Sequence, residues 1–231
     1  GSMILAGILL KLGGYGLFRV IPLILVNFIY FSYFFIIFSL FGAFYMSMVC
    51  LLQSDVKSMI AYSSVCHMGL VIMGIMMLFS WGYSGSYILM LGHGLCSSGL
   101  FCLSNILYER VQSRSFFVTK GMMTFMPSMS LIWFLFCSSN MASPPSMNLV
   151  GEIMIINSLI SWSSLLIFLL FLISLFGAFY SLYLFCYSQH GNFYSGIYSF
   201  CYGFVREYLM LFLHWLPLNI FILKIDLFLL Y

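Results

Sequence analysis

Charge is what this sequence has least of: Asp, Glu, Lys and Arg make up 6% of its 231 residues, against roughly a quarter in a soluble globular domain. With so few ions the chain cannot solvate the surface of a water-soluble fold. The eight basic residues stand singly, all but Lys11 at the ends of apolar runs or between them, so the net charge of +3 forms no patch for nucleic acid. Catalytic constellations are missing too. There is no nucleophile beside a base, no phosphate loop, no Cys-x-x-Cys pair and no His-x-x-x-His spacing. The seven cysteines lie mostly inside apolar runs (Cys50, Cys66, Cys96, Cys102, Cys137) and read as small packing residues rather than metal or redox groups. Before Lys11 there is neither the positive n-region nor the cleavage site of a signal peptide.

What the chain has is hydrophobicity, 64% of its residues, gathered into runs that compare with the ~20 residues needed to cross a bilayer core. Runs at about 2–18, 23–52, 58–79, 85–108, 163–187 and 206–230 each predict a membrane helix. The first ends at Arg19 and Pro22, the second at QSDVK (53–57), and Ser80–Gly85 separates the third from the fourth. The stretch 121–158 is different. As one helix it would be roughly 57 Å long at 1.5 Å per residue, about twice the core, and SSNMASPPS (138–146) interrupts it with two prolines. Either two spans lie here or one discontinuous helix, a break tolerated only where it is buried in protein or lines a cavity. Counting one broken helix puts Lys57, Arg110, Arg114, Lys120 and Arg206 on one side and little beyond Arg19 and Lys224 on the other. That asymmetry favours the broken helix and assigns the basic side to the cytoplasm or matrix. The expected fold is all-α, a polytopic membrane helix bundle of about seven transmembrane helices, forming a single transmembrane domain over 1–231.

Ionisable groups inside these runs are few: Lys11, His67, His93 and Glu152. A cation at the centre of a span costs about 2.5–3.5 kcal/mol on insertion scales, so Lys11 must face the protein interior or water and marks an ion path. Gly7, Gly14 and Tyr15 at helical spacing give it an approachable face. His67 shares a face with Ser63 and Ser64, and His93 with Cys96 and Ser97; an imidazole gains and loses a proton easily near its pKa of ~6.5. Glu152 follows the Pro144-Pro145 break by seven residues, with Asn148 one turn earlier, where a half-helix start favours a carboxylate beside cavity water. Lys57, Glu109 and Arg110 are read as loop residues that anchor the basic side. Four titratable groups in separate helices suggest a chain of proton sites. A plainly structural reading, in which the buried charges only hold neighbours together, stays open beside it.

The segments GSMILAGILLKLGGYGL (1–17), QSDVKSMIAYSSVCHMG (53–69), GHGLCSSGLF (92–101), YER (108–110) and SPPSMNLVGEI (143–153) closely resemble the subunit 4 family of mitochondrial NADH:ubiquinone oxidoreductase, among the antiporter-like membrane subunits of respiratory complex I. The resemblance spans the chain with its blocks in order, so the opening Gly1-Ser2-Met3 looks native and the chain looks like a carboxyl-terminal half. It implies a fold of fourteen helices built on inverted repeats, with helices eight to fourteen here and the break matching the interrupted twelfth. It further implies proton transfer through Lys11, His67, His93 and Glu152, coupled to NADH oxidation and ubiquinone reduction elsewhere in the complex. This chain itself would bind no cofactor and carry no complete redox site. Implied partners are the other membrane-arm subunits, lipid, protons and internal water; the implied location is the mitochondrial inner membrane. A bacterial-type cation/proton antiporter is the alternative sharing this mechanism. With 26 Phe, 17 Met and 16 Tyr but five alanines, the composition fits an AT-rich genome such as an animal mitochondrion's.

Overall fold

The structure, a computed structural model, describes residues 1–196 and 201–229, and of residues 25–30 the backbone only. Its elements are α1 (Ser2–Leu23), α2 (Leu25–Leu51), α3 (Val56–Met76), α4 (Ser80–Val111), α5 (Pro127–Asn140), α6 (Met147–Trp162), α7 (Ile167–Gln189) and α8 (Val205–Ile220). A 3-10 segment, Phe221–Phe228, continues α8 past Pro217. Six helices are long and apolar enough to cross a membrane, and α5 with α6 makes the seventh crossing. No strand occurs among the described residues. Residue 230, the expected end of the last run, lies outside them.

The register of α5 and α6 against α4 decides between one broken helix and two spans. Ser158 Oγ lies 2.9 Å from where a Cβ on Gly82 would stand, Asn148 Oδ1 2.3 Å from that of Gly92, and Phe136 Cε1 2.4 Å from that of Gly99. The order falls steadily along α4, whereas a hairpin of two spans would reverse it. Between the first two contacts both partners advance ten residues; between the last two, α4 advances seven and the broken helix twelve. The surplus is looped out at Met141–Ser146, a shorter break than the expected 138–146, because α5 keeps its hydrogen bonds through Asn140. Prolines supply no N–H and disfavour helix in the preceding residue. Ala142 turns the chain with φ +58, and Ser146 caps α6 by accepting from Leu149 N at 3.3 Å.

Gly85, Gly92 and Gly99 recur every seven residues on the face of α4 that meets this broken helix. In lipid, where apolar surface gains nothing by leaving the solvent, close backbone approach at small residues drives helix association. Buried serines cost little because their hydroxyls return to their own helix, as from Ser63, Ser86 and Ser158 to Ile60 O, Tyr83 O and Ile155 O.

One end of the bundle collects the cations. Val56 N donates to Arg114 O, Phe116 N to Ser54 O and Gly121 N to His190 O, which gathers Lys57, Arg110, Arg114, Lys120 and Arg206. At the opposite end Tyr83 Oη donates to Phe18 O at 2.6 Å and sets Arg19 beside the start of α4. Three sequence boundaries move. Ser80–Gly85 is already helical, the turn being Met77–Phe79 with Leu78 at φ +58; 121–126 is a turn rather than part of the broken helix; and Ser188 and Gln189 end α7 rather than beginning a loop. Lys57 sits in the first turn of α3, and Glu109 and Arg110 in the last turn of α4, not in loops. Arg110 is buried: it meets Glu207 of α8 at 2.5 Å and donates to Ile106 O and Cys201 O. Two polar runs distant in sequence satisfy each other here.

Candidate functional site

Three of the four expected residues converge at the bundle centre. His67 from mid-α3 and His93 from mid-α4 have ring centroids 5.1 Å apart, tilted by 39°. His67 Nδ1 lies 3.4 Å from Glu152 Oε1 of α6, a close contact not aligned as a hydrogen bond. On its other side His67 Nε2 meets the hydroxyl of Tyr180 from α7 at 3.0 Å. A phenol donates or accepts, so this pair serves both the neutral ring, accepting at Nε2, and the imidazolium, donating there. His67 can therefore change charge without losing its partner.

The expected hydroxyl and thiol neighbours play no such part. Ser63 and Ser64 donate to Ile60 O and Ala61 O, and Ser97 to Gly94 O, since a helical serine reaches its own preceding turn first. Cys96 Sγ turns across to α5, meeting Ser139 Oγ at 3.2 Å and donating to Phe136 O at 3.4 Å. Both ring nitrogens of His93 are buried with no hydrogen-bond partner among the described residues.

The broken helix positions the acid. Asn148, fully buried in the first turn of α6, donates through Nδ2 to Ser139 O at 2.9 Å and ties the two half-helices across the break. Four residues later Glu152 faces His67. Its carboxyl borders a cavity of about 50 Å³ with Asn140, Met141 and Tyr180, room for a few waters at roughly 10–15 Å³ each.

Lys11 stands apart, on the other side of His93. It is half-buried in α1, which winds as a π-helical turn over Leu5–Leu9; within that turn the Ala6 carbonyl accepts from Lys11 Nζ. Such turns cluster at functional sites. Gly94 lies against the lysine's stem. Lys11 has no ion-pair partner among the described residues and instead borders a cavity of about 500 Å³ between α1, α4 and α8. No cluster of three or more His, Cys, Asp or Glu fit to hold a metal occurs among the described residues.

Sequence reasoning missed Tyr180, one of 16 tyrosines and 113 positions from its partner, which no local pattern marks. It also passed over the seven-residue glycine repeat, although that periodicity is plainly written in α4.

The geometry has counterparts. A family model described as NADH:quinone oxidoreductase/Mrp antiporter, transmembrane, matches residues 1–177. The chain is 59% identical to the NADH-ubiquinone oxidoreductase chain 4 of Aedes aegypti over 97% of this chain and 50% of that relative. It is 59% identical to the Anopheles arabiensis protein of the same name over 80% of this chain and 84% of that one. The fold is similar to a chain of respiratory complex I from Thermus thermophilus with bound NADH, at a TM-score of 0.83 and 24% identity, covering 91% of this chain and 44% of the other. The chain spans about half the length of the first relatives it matches. With a matching family model over most of its length and these relatives, the chain belongs to the NADH:quinone oxidoreductase/Mrp antiporter transmembrane family.

Proposed function

We propose that this chain moves protons as part of the membrane arm of NADH:ubiquinone oxidoreductase in the mitochondrial inner membrane. Electron transfer from NADH to ubiquinone belongs to other subunits, which are its partners there. The observation that carries this reading is the sequence of titratable groups across five helices: Lys11, His93, His67 and Glu152, with Tyr180 supporting the second histidine. Ionisable side chains at membrane depth are costly and mark ion paths, and no two of these four share a helix.

The groups work as a coupled set, in which each charge state depends on its neighbours. Like charges on neighbouring groups disfavour each other, so the line is not filled with protons all at once. When the lysine gives up its charge, His93 gains freedom to take a proton and pass it to the adjacent ring of His67. Glu152 stabilises the resulting imidazolium and exchanges with water in its own cavity. His93, buried among the four and held by no side chain of the described residues, is the step at which transfer is controlled.

The test is Lys11→Ala in the intact complex. NADH oxidation should remain measurable in detergent while proton transfer through this subunit is abolished in sealed vesicles. An unchanged proton-to-electron ratio would defeat the proposal.

A further inference from the structure

Resting on the proton-path reading of His67 and Glu152, we infer that Tyr180 is a positioning residue of that path: with Cys66 it holds the ring proton of His67 on Nε2 and leaves Nδ1 as the nitrogen at which a proton is gained and lost. Which nitrogen of a histidine reacts is set by the hydrogen bond that the other one makes. For His67 that bond is the 3.0 Å contact between Nε2 and Tyr180 Oη.

Three helices build this corner. α7 leaves Phe168, Phe171 and Phe179 outward yet buries Tyr180, which is 2% exposed. A helical side chain leans back over the preceding turn, and here that turn offers Gly177, where a Cβ would stand 3.8 Å from the phenol oxygen. Cys66 and His67 are neighbours on α3 and both are buried. The Cys66 thiol meets Ala43 O of α2 at 3.4 Å. Tyr180 Oη reaches both α3 residues, His67 at Nε2 and Cys66 at its sulfur.

The last member of this chain sets its direction. A carbonyl oxygen only accepts, so Cys66 donates its S–H to Ala43 O and has sulfur lone pairs left for Tyr180. The phenol accordingly donates its O–H to Cys66 Sγ. Its oxygen is then free to accept, and His67 supplies the donor from Nε2–H. A phenol alone serves either direction; the buried thiol and the carbonyl behind it select one.

Across the ring Nδ1 keeps its lone pair, 3.4 Å from Glu152 Oε1 and with no hydrogen bond among the described residues. A proton arriving there makes an N–H bond and an imidazolium. Its departure breaks that bond and makes an O–H bond at Glu152 Oε1, so imidazolium and carboxylate become a neutral ring and a carboxylic acid with no change in total charge. Nε2–H stays on Tyr180 throughout, and the ring regains its starting tautomer without turning over. With the tautomer reversed, Nδ1 would already hold a proton and could accept none.

The experiment uses the whole complex in sealed vesicles, with infrared difference spectra in which the ring bands lost in His67→Asn belong to His67. Cys66→Ala frees the Tyr180 O–H to turn and donate to Nε2. The ring bands should then change from the Nε2–H to the Nδ1–H tautomer, and proton transfer through this subunit should slow roughly threefold to tenfold, the worth of one hydrogen bond, while NADH oxidation persists. Cys66→Ser should restore both, because its hydroxyl accepts from Tyr180 and donates to a carbonyl. Tyr180→Phe, which removes the partner of Nε2, should slow transfer at least as much as Cys66→Ala. Unchanged ring bands in Cys66→Ala overturn the inference, as does a changed tautomer with the parent's proton-to-electron ratio, provided Lys11→Ala run in parallel lowers that ratio. If Lys11→Ala changes nothing, the proton path itself fails, and the ring bands still judge the tautomer by themselves. Should Tyr180→Phe not assemble, the two Cys66 variants decide.

Discussion

The inner helices α3 and α4 and the outer helices α1 and α8 all carry ionisable residues at mid-depth, yet in opposite settings. The most apolar eighteen-residue stretches of α3 and α4 are 78% and 83% buried, against 22% for α1 and 11% for α8. The inner histidines are locked in packing: His67 has a fixed partner on either side and His93 has none. On the outer helices Lys11 and His214 bond to carbonyls of their own helices. Rigid placement suits a step whose timing must be controlled.

Three substitutions sharpen or break that contrast. The largest effect is expected at the inner acid. Glu152→Gln keeps size and hydrogen bonding and removes the titrating group, so assembly should stay near normal while pumping through this subunit falls at least tenfold, within the range for a positioned proton carrier; Glu152→Asp should keep part of it. A Gln variant that pumps like the parent would make the inner site structural. Next is Gly92→Ala, which places a methyl 2.3 Å from Asn148 Oδ1 and should cost about 1–3 kcal/mol as an overpacked contact, read as a lower melting temperature of the membrane arm. No shift would mean that the α4–α6 seam is looser than the glycine repeat implies. The smallest is Gly13→Ala on α1, where a new Cβ meets nothing within 4 Å. Its stability change should stay within about 0.5 kcal/mol, and a larger loss would reveal a partner helix packed on α1.

Hydropathy made the spans legible because each must bury its backbone in lipid by itself, a property that sums along the chain. Lys11, His67, His93 and Glu152 stood out because ionisable groups are rare there. Proline chemistry marked the break, though its near edge was set too early, since Ser138–Asn140 are acceptable helix residues until Ala142 turns the chain. Partnerships were not legible. The His67–Tyr180 and Arg110–Glu207 pairs join residues 113 and 97 apart, and which of many tyrosines or boundary charges meet depends on helix rotation, which hydropathy does not carry.

The looped-out residues at Met141–Ser146 bear on how this chain tolerates changes of length. Inside an unbroken helix, one inserted residue turns everything beyond it by about 100°, and Glu152 would swing away from His67. Between α5 and α6 the chain already holds more residues than the distance along α4 requires, and Asn148 fixes α6 from its own first turn. An insertion or deletion there is taken up as slack, leaving the orientation of each half-helix as it was. The break therefore uncouples the two halves in register, so that segment length can vary between relatives while the carboxylate keeps its address.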